Sequence, residues 1–171
     1  MPRYIALLRG VSPMNARMPA LKACFEAAGF SNVRTLLSSG NVAFDARASS
    51  PSTLERRAEE AMQSGLGRSF VTIVRPQAAL QALVASEPFA AFALSPSSKP
   101  LVLFLRKPAE LDLDLPIHRG DASILAFKGT EGLCAYVPGP DASGFMSLLE
   151  RTFGKTITTR TLDTVRKCAA G

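Results

Sequence analysis

The chain has 171 residues, 47% of them hydrophobic and 20% charged, with a formal net charge of +6. That is the balance of an ordinary globular protein, long enough for one sizeable core or two small subdomains. It excludes disordered and fibrous classes, and no apolar run nears the roughly 20 residues that cross a bilayer.

The first strand is expected over residues 3–9, an apolar run rich in β-formers. Residues 10–17 are full of turn formers and read as a loop. A helix follows from Pro19, with Leu21, Cys24, Phe25 and Ala28 on one stripe and Gly29 as its stop. Residues 33–38 and 41–45 are strand-like, and Ser39-Gly40 between them predicts a tight hairpin. Ser49-Ser50-Pro51 opens a second helix to about residue 64, ended by Gly65 and Gly67. Residues 70–74 make a fourth strand closed by Pro76. The order β-α-β-β-α-β is the split-βαβ or ferredoxin-like arrangement, in which helices cover one face of an antiparallel sheet.

The second half echoes the first in pattern, not in sequence. A helix is expected over residues 77–85, a Ser/Pro-rich loop at 95–98, and a strand over 101–105. One or two helical turns follow around 109–113, then strands at 123–127 and 133–137 and a helix over 144–153. A last, basic helix over 162–169 is capped by Thr161. The fold expected is therefore α+β: a ferredoxin-like βαββαβ subdomain over 1–76, then a βαββα-like subdomain over 77–171 with an extra C-terminal helix.

Cysteines are odd in number and far apart at 24, 134 and 168, and His118 is the single histidine. This fits a reducing compartment rather than a disulfide framework, and leaves a Cys/His zinc site without ligands. The N-terminal apolar stretch is closed too soon by Arg9 for a secretory leader. A cytoplasmic location is expected, with no metal, no cofactor and no membrane. Charge is uneven: residues 1–75 carry ten Lys/Arg against five Asp/Glu, residues 76–150 five against eight, and residues 151–171 five against one. A basic first half and tail suit an anionic partner, and equally suit attraction to the acidic middle.

Five segments together resemble an uncharacterised bacterial family, that of domain of unknown function 1697. They are Leu7-Leu8-Arg9-Gly10, Gly29-Phe30 with Val33, Ser39-Gly40-Asn41-Val42, Lys99-Pro100-Leu101-Val102, and Thr158-Thr159-Arg160 with Thr164-Val165. The resemblance implies a two-part α+β fold with a ferredoxin-like first half, and it implies no activity. Two departures stand out. Val11-Ser12-Pro13-Met14-Asn15 replaces a glycine-rich loop, and Leu162 stands where an aromatic residue is commoner.

The candidate site gathers Arg9, Ser39 and Asn41 with Arg160, and Ser12, Asn15 and Thr159 as neighbours. In a split-βαβ sheet the end of the first strand lies beside the start of the third, and a guanidinium with amide and hydroxyl donors suits a carboxylate or phosphate. The function expected is a binding or accessory protein for a small anionic ligand, a nucleotide or phosphorylated metabolite. An enzyme acting in the same crevice ranks second, since no base or nucleophile can be identified. A protein–protein module or homodimer using an exposed sheet edge ranks third. Specific nucleic-acid binding is not expected, because only Tyr4 falls where a base could stack. His118, near Asp121, lies in a turn-like segment, and the run Glu110, Asp112, Asp114 alternates with leucines as a half-buried segment does.

Overall fold

The computed structural model describes residues 1–37, 40–108, 114–139 and 142–171. These form helices and two antiparallel sheets, an α+β fold. The chain divides into two compact units, one of Met1–Ala82 with Arg166–Gly171 and one of Leu83–Val165. The sequence alone gives no reason to separate residues 166–171 from the second half, yet by their packing they belong to the first unit.

The first unit runs β1 (Arg3–Leu8), α1 (Met18–Ala27), β2 (Ser31–Leu36), β3 (Asn41–Asp45), α2 (Pro51–Leu66) and β4 (Thr72–Pro76). The strands are ordered β2-β3-β1-β4, and every pairing is antiparallel. β1 is central, and Tyr4 to Leu8 are buried without a break. Successive strand residues point to opposite faces, so an unbroken buried run means both faces are covered. On one face Tyr4, Ala6, Leu8, Val42 and Phe44 meet Leu21, Cys24 and Phe25 of α1 and Leu54, Ala58 and Met62 of α2. On the other, Ile5, Leu7, Ala43 and Ile73 are as fully buried. The chain's last residues are tied into this unit: the Gly171 carbonyl accepts from Arg3 Nε at 3.0 Å and from Gln77 Nε2 at 3.2 Å.

α2 is bounded as the sequence predicts. Ser50 Oγ accepts the Thr53 N–H at 3.3 Å, and Gly67 takes φ +73° at the C-terminal end. Gly65 does not end the helix but lies inside it. A Cβ there would stand 2.7 Å from Cys24 Sγ, so its absence lets α1 and α2 close on each other.

The outer edge of β4 is covered by its own helix. The bond from Arg9 N–H to the Val71 carbonyl fixes the ladder so that residues 71, 73 and 75 face β1 and residues 72, 74 and 76 turn their backbone outward. Glu59 accepts the Thr72 N–H at 3.1 Å and Glu55 accepts the Val74 N–H at 2.9 Å. The third outward position is Pro76, which has no N–H to offer.

The second unit holds β5 (Lys99–Leu105), β6 (Ile117–Arg119), β7 (Ala122–Lys128), β8 (Glu131–Tyr136), α4 (Ala142–Phe153) and β9 (Ile157–Thr161), in sheet order β6-β7-β8-β5-β9. α3 (Gln77–Ala85) and α5 (Leu162–Ala169) each cross the division between the units. Leu103, Leu105, Ile124, Cys134 and Ile157 pack with Phe145 and Leu149 of α4. Two strands, β6 and β9, stand where the sequence reading has a turn and a connection. The helical turns expected around residues 109–113 lie outside the described residues. Thr161 caps α5 as expected, its Oγ1 accepting the Thr164 N–H at 3.3 Å.

Candidate functional site

The segment between β1 and α1 is held in shape by its own polar side chains. Asn15 Nδ2 donates to the Gly10 carbonyl at 2.8 Å, while Asn15 Oδ1 accepts the Ser12 N–H at 2.9 Å. Ser12 Oγ accepts the Met14 N–H at 3.3 Å, and the Ser12 carbonyl accepts the N–H groups of Asn15 and Ala16, each at 3.1 Å. Side chains that bond their own backbone in this way stabilise a turn in place of a helix. The loop rests on the β2–β3 turn. Gly40 has φ +80°, and a Cβ there would stand 2.9 Å from Val11 Cβ, so only glycine permits both the turn and the approach. The Leu8 N–H donates to the Gly40 carbonyl at 2.8 Å, pinning the end of β1 to the same turn.

This loop delivers the chain into the N-terminus of α1. Arg17 is the cap residue, extended at φ −84°, ψ 144°, and its side chain makes no capping bond; no acid stands in the first turn. α2, in contrast, has its Ser50 cap. The first N–H groups of a helix carry partial positive charge and want an acceptor. At α1 the cap side chain supplies none, and Arg9, half-buried, and Arg17, exposed, both precede the helix in sequence.

Of the residues expected to form the site, Arg9, Ser12 and Asn15 share this loop. Asn41 begins β3 and is fully buried, its Nδ2 donating to the Leu36 carbonyl at 3.2 Å, so it closes the hairpin. Ser39 lies outside the described residues. Thr159 and Arg160 belong to the second unit and sit next to each other on β9. Neighbours on a strand point to opposite faces, so the two cannot line one crevice together. Arg160 is buried and donates through NH1 to Thr158 Oγ1 at 2.7 Å and to the Thr159 carbonyl at 2.8 Å. Thr158, buried on the same face as Arg160, is the partner that sequence reasoning missed. The β-branched run from Ile157 to Thr161 is the signal that could have placed both on a strand.

Tyr4 is not available for base stacking. It is buried, its ring stacks on Phe44 at 5.8 Å, and its hydroxyl accepts the Ser49 N–H at 3.2 Å. His118 pairs not with Asp121 but across the β6–β7 hairpin, its Nδ1 lying 2.7 Å from Ser123 Oγ on an exposed surface. Glu110 and Asp112 lie outside the described residues. The three cysteines are buried and none forms a disulfide. Burial pushes the Cys134 thiol up to about 12 and raises that of Cys24, which keeps both protonated and unreactive.

The family model described as "Protein of unknown function (DUF1697)" matches residues 1–121. Among solved structures the chain is similar to the conserved bacterial protein SP0830 from Streptococcus pneumoniae, with a TM-score of 0.70 and 21% identity over 99% of this chain and 97% of that one. At that identity the likeness speaks for the fold alone. The search of curated proteins finds no match. Among the described residues no helix is long and apolar enough to cross a membrane.

Proposed function

Since the chain belongs to the DUF1697 family of proteins of unknown function, we propose from its own residues that it is a binding or accessory protein for a small anionic ligand, a nucleotide or phosphorylated metabolite. The ligand is held where the β1–α1 loop enters α1. The observation that carries this is the helix N-terminus without a capping side chain, reached through a loop that Ser12 and Asn15 hold rigid. Backbone N–H groups at a helix start favour a phosphate or carboxylate. Arg9 and Arg17 add charge, and a guanidinium can engage an anion with two parallel bonds. A loop already fixed by its own bonds loses little freedom on binding.

Thr159 and Arg160 have no place in this reading, because Arg160 already donates to Thr158 Oγ1 and to the Thr159 carbonyl within its own strand. A thermal-shift panel of inorganic phosphate, pyrophosphate and nucleotides at low and high salt tests the proposal. A ligand at a hundred times its dissociation constant adds about 2.7 kcal/mol of stability. The expected result is a shift that survives added salt and is lost in Arg9→Ala and Arg17→Ala. A shift that persists in both variants, or silence across the panel, overturns it.

A further inference from the structure

The free edge of the first sheet has a chemistry that the anion site does not use. A groove of about 380 Å³ runs beside β2, lined by residues 34–37 and by Lys167, Ala170 and Gly171, all of the first unit. The ladder fixes which backbone groups look outward. The Leu8 N–H bonds the Gly40 carbonyl, so residues 42 and 44 of β3 bond β1 while residues 41 and 43 bond β2. Their partners are Leu36 and Arg34, which leaves the N–H and carbonyl of Thr35 on the outer side. β2 is irregular between Ser31 and Arg34, which confines the regular edge to the stretch that lines the groove. Arg34 and Lys167 are exposed on its two sides, and the ion pair of this region joins Arg3 to Asp45 and leaves both out. Leu37, a large apolar side chain, stands exposed at the end.

We infer that this edge accepts an extended acidic peptide segment of a partner protein as an added strand. The segment's backbone pairs with Thr35, its carboxylates meet Arg34 and Lys167, and an apolar residue covers Leu37. Adding a strand needs both a donor and an acceptor row in the guest. A peptide has both, whereas a nucleic-acid backbone offers acceptors alone, so the outward amide and carbonyl favour the peptide. The opposite edge cannot serve, because Glu55, Glu59 and Pro76 leave it no outward donor.

The probe is a short fluorescein-labelled peptide alternating Asp or Glu with Val or Ile, followed by anisotropy against the whole protein. Controls are the same peptide with Lys in place of its acids, and the acidic peptide N-methylated on the backbone positions of one edge. The acidic peptide should bind, and the Lys peptide should bind at least about tenfold more weakly. N-methylation of the pairing edge should cost a similar factor. Arg34→Glu with Lys167→Glu, both at exposed positions, should keep the wild-type melting temperature and reverse the preference. The Thr35 amide should gain protection from hydrogen exchange on binding. No binding by the acidic peptide overturns the inference. So does equal binding of the N-methylated form, which would mean charge without strand addition.

Discussion

The two edges of the first sheet, β4 and β2, face the same problem and meet it differently. A sheet edge exposes a row of backbone donors and acceptors that another strand can pair with. At β4 the row is closed by residues four apart on α2. Four helical residues advance about 6 Å, and two strand residues advance about 6.7 Å. Glu55 and Glu59 therefore reach Val74 and Thr72 in reverse order, because helix and strand run antiparallel. Pro76 continues the row without a donor. At β2 no carboxylate among the described residues accepts the outward Thr35 N–H, and the strand is held instead by Asp45, which accepts from Arg3 NH1 at 2.9 Å and from Asn32 Nδ2 at 2.7 Å. One edge is sealed by two helix carboxylates, one of them buried, and the other is steadied by an ion pair near the surface. The teaching is that an acid's value depends on what it would leave behind if removed.

The largest effect should come from Glu55, which is only 5% exposed. Glu55→Ala leaves the Val74 N–H buried without its acceptor and opens a void, at a cost of about 3 kcal/mol in urea denaturation. Glu55→Gln keeps a carbonyl acceptor and should cost about half of that. A Glu55→Ala variant as stable as wild type would break the comparison, because the carboxylate would then be an ornament of the edge.

Glu59 is half-buried, so truncating it removes less packing than truncating Glu55. Glu59→Ala should cost about 1 kcal/mol by the same measurement. Combined with Glu55→Gln it should make the protein self-associate in sedimentation velocity, as an unsealed edge finds a second copy. A monomer at all concentrations would show that something other than these carboxylates guards β4.

Much of the first unit was legible in the sequence because its signals are local. The hydrophobic runs, Ser50, Gly67 and Gly40 each act within a few residues, and each is found where its chemistry asks. The second unit was less legible for the same reason. Ile157 to Thr161 alternates no apolar pattern, so its strand character rests on β-branching alone, and β6 is three residues long. The candidate site was half legible. Arg9, Ser12 and Asn15 are close in sequence and share one loop. Asn41 and Arg160 read as ligand donors because their acceptors, the Leu36 carbonyl and Thr158 Oγ1, are set by register, which composition does not reveal. The α2 carboxylates were invisible as a pair for the same reason, since their meaning depends on which N–H groups β4 turns outward.

The smallest effect, and the sharpest test of the contrast, belongs to Asp45. Its carboxyl is held below the usual carboxylate range, first by the hydrogen bond from the Asn32 side chain and then by that from Arg3. A pKa lowered in the folded state means the unfolded chain takes up the proton first as pH falls. The stabilisation is thus complete above the unfolded carboxylate value of about 3.9 and is lost as pH drops through the lower folded value. Asp45→Asn should cost under about 1 kcal/mol at neutral pH, as near-surface ion pairs do. The difference from wild type should shrink towards zero in strong acid. Because Asp45 bonds Asn32 where β2 is irregular, the same acid titration should perturb the NMR amides of β2 as the Asp45 carboxyl takes up its proton. If the β2 amides stay unmoved through that titration, Asp45 is not what steadies this edge and the contrast between the two edges falls.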